Sequence, residues 1–141
     1  FSFNNVSFYD DYAHHPTEIK EVINGISEVY KEKKIICIFQ PHRISRLKNL
    51  RKEFSHAFKK VDTVVLCPIF KAGENIKLGF KYSNFAKEII KNSKVKVILI
   101  KNELDLAKFT KQNIYGQQLV VSMGAGSISS WIRNLPKVLQ K

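Results

Sequence analysis

The chain has 141 residues, which at ~150 residues per domain fits one domain and excludes a second full core. Its 44% hydrophobic and 26% charged residues are an ordinary globular composition, not that of a disordered basic tail. Basic residues outnumber acidic ones 24 to 12, a net charge of +12, so an anionic partner or substrate is expected and nucleic acid is the first class to weigh.

In chain order the pattern alternates strand and helix. A β-rich run at residues 6–9 precedes a helical series of Ile19, Val22, Ile23, Ile26 and Tyr30. A second run at 35–39 precedes Leu47, Leu50, Phe54, Ala57 and Phe58, again at three-and-four spacing. Runs at 63–69 and 95–100 lead into shorter helices near 83–91 and 103–111. The run at 119–123 leads into a last helix carrying Ile128, Trp131, Ile132 and Leu135. Little alternation inside the middle runs means strands buried on both faces. The expectation is an α/β fold: a Rossmann-like, mostly parallel open sheet of about five to six strands with helices on both faces, forming a single domain over 1–141.

No apolar run approaches the ~20 residues that cross a bilayer, and the first residues lack a charged-then-apolar signal pattern. A soluble, cytoplasmic protein with no membrane partner is expected. Cys37 and Cys67 lie inside apolar runs without CxxC spacing, so they read as core residues of a reduced protein. Twenty of the basic residues are lysines spread from Lys20 to Lys141. That dispersion reads as a solvated surface, since a nucleic-acid face more often clusters arginine with exposed aromatics. Three of the four arginines, by contrast, lie within nine residues: Arg43, Arg46 and Arg51.

Right-handed crossovers bring every strand-to-helix loop of a parallel sheet to one edge, where ligands bind. Those loops carry Asp10, Asp11, Tyr12, His14 and His15, then Gln40, Pro41, His42, Arg43 and Arg46, then Phe70 to Glu74, then Gly124, Ala125, Gly126 and Ser127. In DDYAHHPTE, Pro16 suits a first helical turn. The acids and histidines there either serve that helix terminus or bind a ligand. In QPHRISR, Arg43 and Arg46 stand three apart where a helix begins, a receptor for carboxylate or phosphate. The glycines of MGAGSIS either let a ligand approach the backbone or make a tight turn. Ser129 stands where a dinucleotide fingerprint needs its last glycine. There is no GxxxxGK[ST] phosphate loop, no GxSxG elbow and no metal-ligand spacing, so no metal site is expected. The loops are rich in binding groups and hold no catalytic nucleophile.

Together DDYAHHPTEI, FQPHRISR, IFKAGE and MGAGSI resemble, in that order and over essentially the whole chain, the carboxyl-terminal domain of the Mur ligases. QPHR with a second arginine three residues on is similar to the alanine-adding branch. A muropeptide-recycling branch shares the DDxAHHP portion and is the nearest alternative; a basic nucleotide- or nucleic-acid-binding module is the other. The resemblance implies one domain of a three-domain cytoplasmic ligase of peptidoglycan synthesis. Such an enzyme converts the carboxylate of UDP-N-acetylmuramate to an acyl phosphate with ATP and couples it to L-alanine. By resemblance Asp11 contacts ATP, and Tyr12, His14, Arg43 and Arg46 hold the amino acid. His42, Glu74 and Gly124, Ala125, Gly126 and Ser127 carry over less directly. ATP and magnesium would be held mainly by a central domain absent from this sequence, as is the UDP-sugar domain, so the chain alone is expected to be inactive.

Overall fold

Strand Val6–Asp11 (β2) lies beside Gln118–Met123 (β6), which lies beside Lys34–Phe39 (β3), and Thr63–Leu66 (β4) and Lys96–Leu99 (β5) complete the parallel sheet. A two-residue strand, Ser2–Phe3 (β1), joins antiparallel at the β2 edge, giving the order β1-β2-β6-β3-β4-β5. This is a computed structural model, and it describes residues 1–140.

Side-chain alternation in β3 shows why its run is continuously apolar. Ile35, Cys37 and Phe39 face a core built with Ile19 and Ile23 of helix Pro16–Val29 (α1), Leu47 and Phe54 of Ile44–Ser55 (α2), and Phe85 and Ile89 of Tyr82–Ser93 (α3). Ile36 and Ile38 face a second core with Leu106 of Glu103–Asn113 (α4) and Ile128 and Ile132 of Ile128–Leu139 (α5). Cys37 and Cys67 are buried in these cores as free thiols, and burial pushes both thiols well up from their ordinary range.

The chain leaves β3 toward α2 on one face and leaves β6 toward α5 on the other. A crevice therefore opens at the carboxyl ends of these neighbours, the place where open α/β sheets bind ligands.

Four boundaries differ from the sequence expectation. β2 runs two residues past Tyr9, because Asp10 and Asp11 continue the ladder opposite Ser122 and Met123, and the Ser122 hydroxyl donates to Asp10 at 2.8 Å. The two acids thus end a strand instead of opening a loop. β4 stops at Leu66, two residues before Pro68, whose ring nitrogen has no proton to donate. Residues 67–70 still run beside the β3 exit through Cys67 N to Phe39 O and a lone His42–Phe70 bridge. α2 ends at Ser55, leaving Ala57 and Phe58 buried in the turn that follows. β1 is too short for any apolar period.

Candidate functional site at the carboxyl edge of the sheet

α1 begins with a reciprocal cap. His15 Nδ1 accepts from the Thr17 amide at 3.2 Å, and Glu18 accepts from the His15 amide at 3.0 Å, with Pro16 in the first turn. These two bonds satisfy donors that the helix leaves free. The Glu18 carboxyl is held below its usual range, first by the His15 amide. His15, Pro16 and Glu18 are therefore spent on the helix, and Asp11, Tyr12 and His14 are what the motif offers to the edge.

Asp11 Oδ1 accepts from the Ala13 amide at 2.8 Å. The same residue lines a groove of about 280 Å³ with Tyr9, Val22, Ile26, Tyr30, Leu119 and Val121. His14 Nδ1 lies 2.9 Å from the Tyr12 carbonyl. A carbonyl only accepts, so Nδ1 carries a proton and donates, and Nε2 is the nitrogen left as acceptor in the neutral tautomer. The Tyr12 ring sits edge-on to it at 5.9 Å, and Tyr12 is 70% exposed.

His42 is the hub of the second loop. Arg46 donates to its Nδ1 at 3.3 Å, so the proton sits on Nε2. Its ring lies 5.7 Å from that of His14 and stacks on Phe70 at 5.5 Å. Burial, then the charges of Arg46, His14 and Arg43, hold the imidazolium below the usual histidine range, with Glu74 opposing them. A neutral imidazole amid guanidinium groups is the result. Arg43 occupies the N-cap position of α2 with φ of 72°, and its side chain is exposed and makes no cap bond.

Glu74 accepts from the Ser45 amide at 3.0 Å and from the Ser45 hydroxyl at 2.5 Å. Those bonds, led by the hydroxyl, hold its carboxyl below the usual range.

The glycine turn meets this cluster from the other side. A Cβ on Gly126 would collide with the Phe70 ring and lie 2.7 Å from its Cβ. At Gly124, with φ of 154°, a Cβ would lie 2.8 Å from Ile128 and 3.0 Å from the Gln40 carbonyl. Close packing within the chain fills the space beside both glycines.

The structure thus gathers His14, Arg46 and Phe70 around the His42 imidazole, with Tyr12 against His14 and the Gly124–Ser127 turn behind Phe70, while Arg43 stands exposed at the start of α2 and Glu74 is bonded to Ser45 in its first turn. Asp11 stands one turn upstream, its carboxylate engaged locally. Arg51, third of the arginine cluster, is elsewhere: it pairs with Glu88 and stacks on Phe80 at 3.7 Å. Two residues that the sequence places in these loops turn out to have supporting roles that it did not assign. Gln40 is 2% exposed; it donates to Ser127 Oγ at 2.9 Å and accepts from the Ile128 amide at 3.0 Å, tying the β3 exit to α5. Phe70 joins His42 to Gly126. A polar residue directly after a wholly apolar strand is the one hint of Gln40.

A mostly parallel open sheet with arginines and histidines gathered at its carboxyl edge defines a Rossmann-like α/β module. The model of the Mur ligase, glutamate ligase domain matches residues 2–126, and the chain belongs to the Mur ligase family. It is 61% identical over 139 residues to the UDP-N-acetylmuramate–L-alanine ligase of Pelagibacter ubique, covering 99% of this chain and 30% of that protein. It is 37% identical over 138 residues to the Bartonella bacilliformis protein of the same name, covering 98% and 29%. Among solved structures, the UDP-N-acetylmuramate–alanine ligase of Thermotoga maritima superposes with a TM-score of 0.73 at 25% identity, over 97% of this chain and 27% of that one. The chain spans about 30% of the length of the curated relatives it matches.

Proposed function

We propose that this single domain is the amino-acid-holding part of a longer cytoplasmic ligase that couples L-alanine to the carboxyl group of UDP-N-acetylmuramate at the expense of ATP. The observation that carries this reading is the Arg46, His42 and His14 cluster at the sheet edge, with Arg43 at the start of the same helix as Arg46, in a chain 61% identical to a relative of that name.

The two guanidinium groups take the alanine carboxylate through charge-assisted hydrogen bonds. His14 offers Nε2 as an acceptor beside them, suited to the ammonium end of the amino acid. Asp11 accepts from the ribose hydroxyls of ATP, and Tyr12 lines the boundary between nucleotide and amino acid. Phosphorylation of the UDP-sugar carboxylate releases ADP. The deprotonated alanine nitrogen then attacks the acyl carbon, forming the amide as phosphate departs. This domain's contribution is proximity: a fixed nucleophile makes the second step effectively unimolecular.

Magnesium, when bound to the triphosphate, neutralises its charge. Among the described residues no group of three or more His, Cys, Asp or Glu is gathered for a metal, and by the family resemblance the ion would be held mainly by the central domain of the longer ligase. A phosphate loop and a UDP-sugar site are likewise left to partner domains, and the isolated chain is expected to make no product. No helix among the described residues is long and apolar enough to cross a membrane.

In the longer ligase, Arg43→Ala or Arg46→Ala should raise the alanine KM roughly 10- to 150-fold, the equivalent of about 1.5–3 kcal/mol for a charged contact, while UDP-sugar binding is kept. Unchanged alanine kinetics in both variants would sink the assignment.

A further inference from the structure

α2 starts without the device helices ordinarily use. Its N-cap residue is Arg43, in the left-handed region at φ 72°, with no side-chain cap bond and no acid in the first turn. That conformation is disfavoured for a residue with a Cβ, and free amides at a helix start call for an acceptor. The acceptor comes from another loop. Glu74, 29 residues along from Ser45, takes both the Ser45 amide and the Ser45 hydroxyl.

The loop that delivers Glu74 is stitched to the same turn. The Arg43 amide donates to the Phe70 carbonyl at 2.7 Å, and the Phe70 amide donates to the Pro41 carbonyl at 2.9 Å. Ala72 and Gly73, both at positive φ, then reverse the chain, and the Glu74 amide closes on the Lys71 carbonyl at 3.0 Å. A carboxylate at a helix amino-terminus also meets the positive end of the macrodipole.

We propose that Glu74 is a positioning residue for the arginine pair: it fixes the first turn of α2, from which Arg46 reaches His42 and Arg43 stands at the helix start. With one oxygen on the Ser45 amide and the other on the Ser45 hydroxyl, its role is to hold the turn, not to bind the amino acid. This inference rests on the assignment of that pair to the alanine carboxylate. Loss of the cap loosens the receptor while leaving chemistry intact once alanine is bound.

The test is steady-state kinetics of the longer ligase carrying Glu74→Ala, Glu74→Gln and Ser45→Ala, with Arg43→Ala alongside. Glu74→Ala should raise the alanine KM roughly 3- to 30-fold, the span of lost helix caps, with kcat at saturating alanine and the KM values for ATP and UDP-sugar within about twofold. Glu74→Gln, which keeps an acceptor for the Ser45 amide, should recover part of the loss. Ser45→Ala removes only the hydroxyl bond and should act in the same direction and less strongly; it decides the matter if Glu74→Ala does not fold. An Arg43→Ala effect on alanine without any Glu74 or Ser45 effect overturns the positioning role and spares the alanine reading. A fall in kcat at unchanged alanine KM, or an equal shift for all three substrates, also overturns the positioning role. No effect from Arg43→Ala overturns the reading on which it rests.

Discussion

His42 gathers more of the site's electrostatics than any other residue, and its protonation should be visible in stability. Its folded-state pKa is depressed, chiefly by burial and next by Arg46. The unfolded chain therefore takes up the proton first, near pH ~6.5, and stability is lost as pH falls through that value toward the folded one. Urea unfolding at pH 7.5 and 5.5 should show a smaller loss for His42→Gln than for the parent chain; equal losses would contradict the proposed environment. Glu18 and Glu74 are depressed carboxyls, so their contribution is present above the ordinary glutamate value of 4.5 and lost only at more acid pH. The motif residues themselves were legible in the sequence, because histidine, arginine and acid at strand ends are informative types. Their division of labour was only partly so. Pro16 in the first turn and Glu18 three residues after His15 mark His15 as the cap of α1, but nothing in DDYAHHPTE shows that the His14 ring faces His42.

At the scale of elements, the structure is held by contacts between connections that are far apart in sequence. Gln40 is the clearest case, since its amide completes the first turn of α5 from the end of β3. Gln40→Ala leaves the Ile128 amide without its acceptor in a buried position and should cost about 1–3 kcal/mol, measured by denaturant unfolding. A loss below a few tenths would mean that this bond is not formed. Apolar period predicted every major strand and helix, because each element buries a face at its own repeat. The boundaries escaped it where pairing or turn chemistry prevailed over apolar pattern. β2 extends through Asp10 and Asp11 because β6 supplies partners, and Phe58 is buried beyond the end of α2 because a turn can fill a core as well as a helix does.

For the molecule as a whole, the net charge of +12 is little neutralised internally. Among the described residues Arg51–Glu88 is the lysine- or arginine-carboxylate pair, and His14 Nδ1 lies 3.8 Å from Glu18, an ion pair only when that ring is protonated. The lysines remain a solvated surface, and the informative part of the charge is the arginine pair at the sheet's carboxyl edge. Fold class was legible from the alternation of strand and helix periods, and the family resemblance from four short motifs, each in a loop that a parallel sheet brings to that edge. The packing that joins them was not, because Phe70, the residue between His42 and Gly126, looks like any core aromatic in sequence. The most direct test of the account is a crystal structure of the longer ligase with L-alanine and a non-hydrolysable ATP analogue. The account predicts the alanine carboxylate at about 2.7–3.2 Å from guanidinium nitrogens of both Arg43 and Arg46; alanine held by another domain, with both arginines left in solvent, would contradict it.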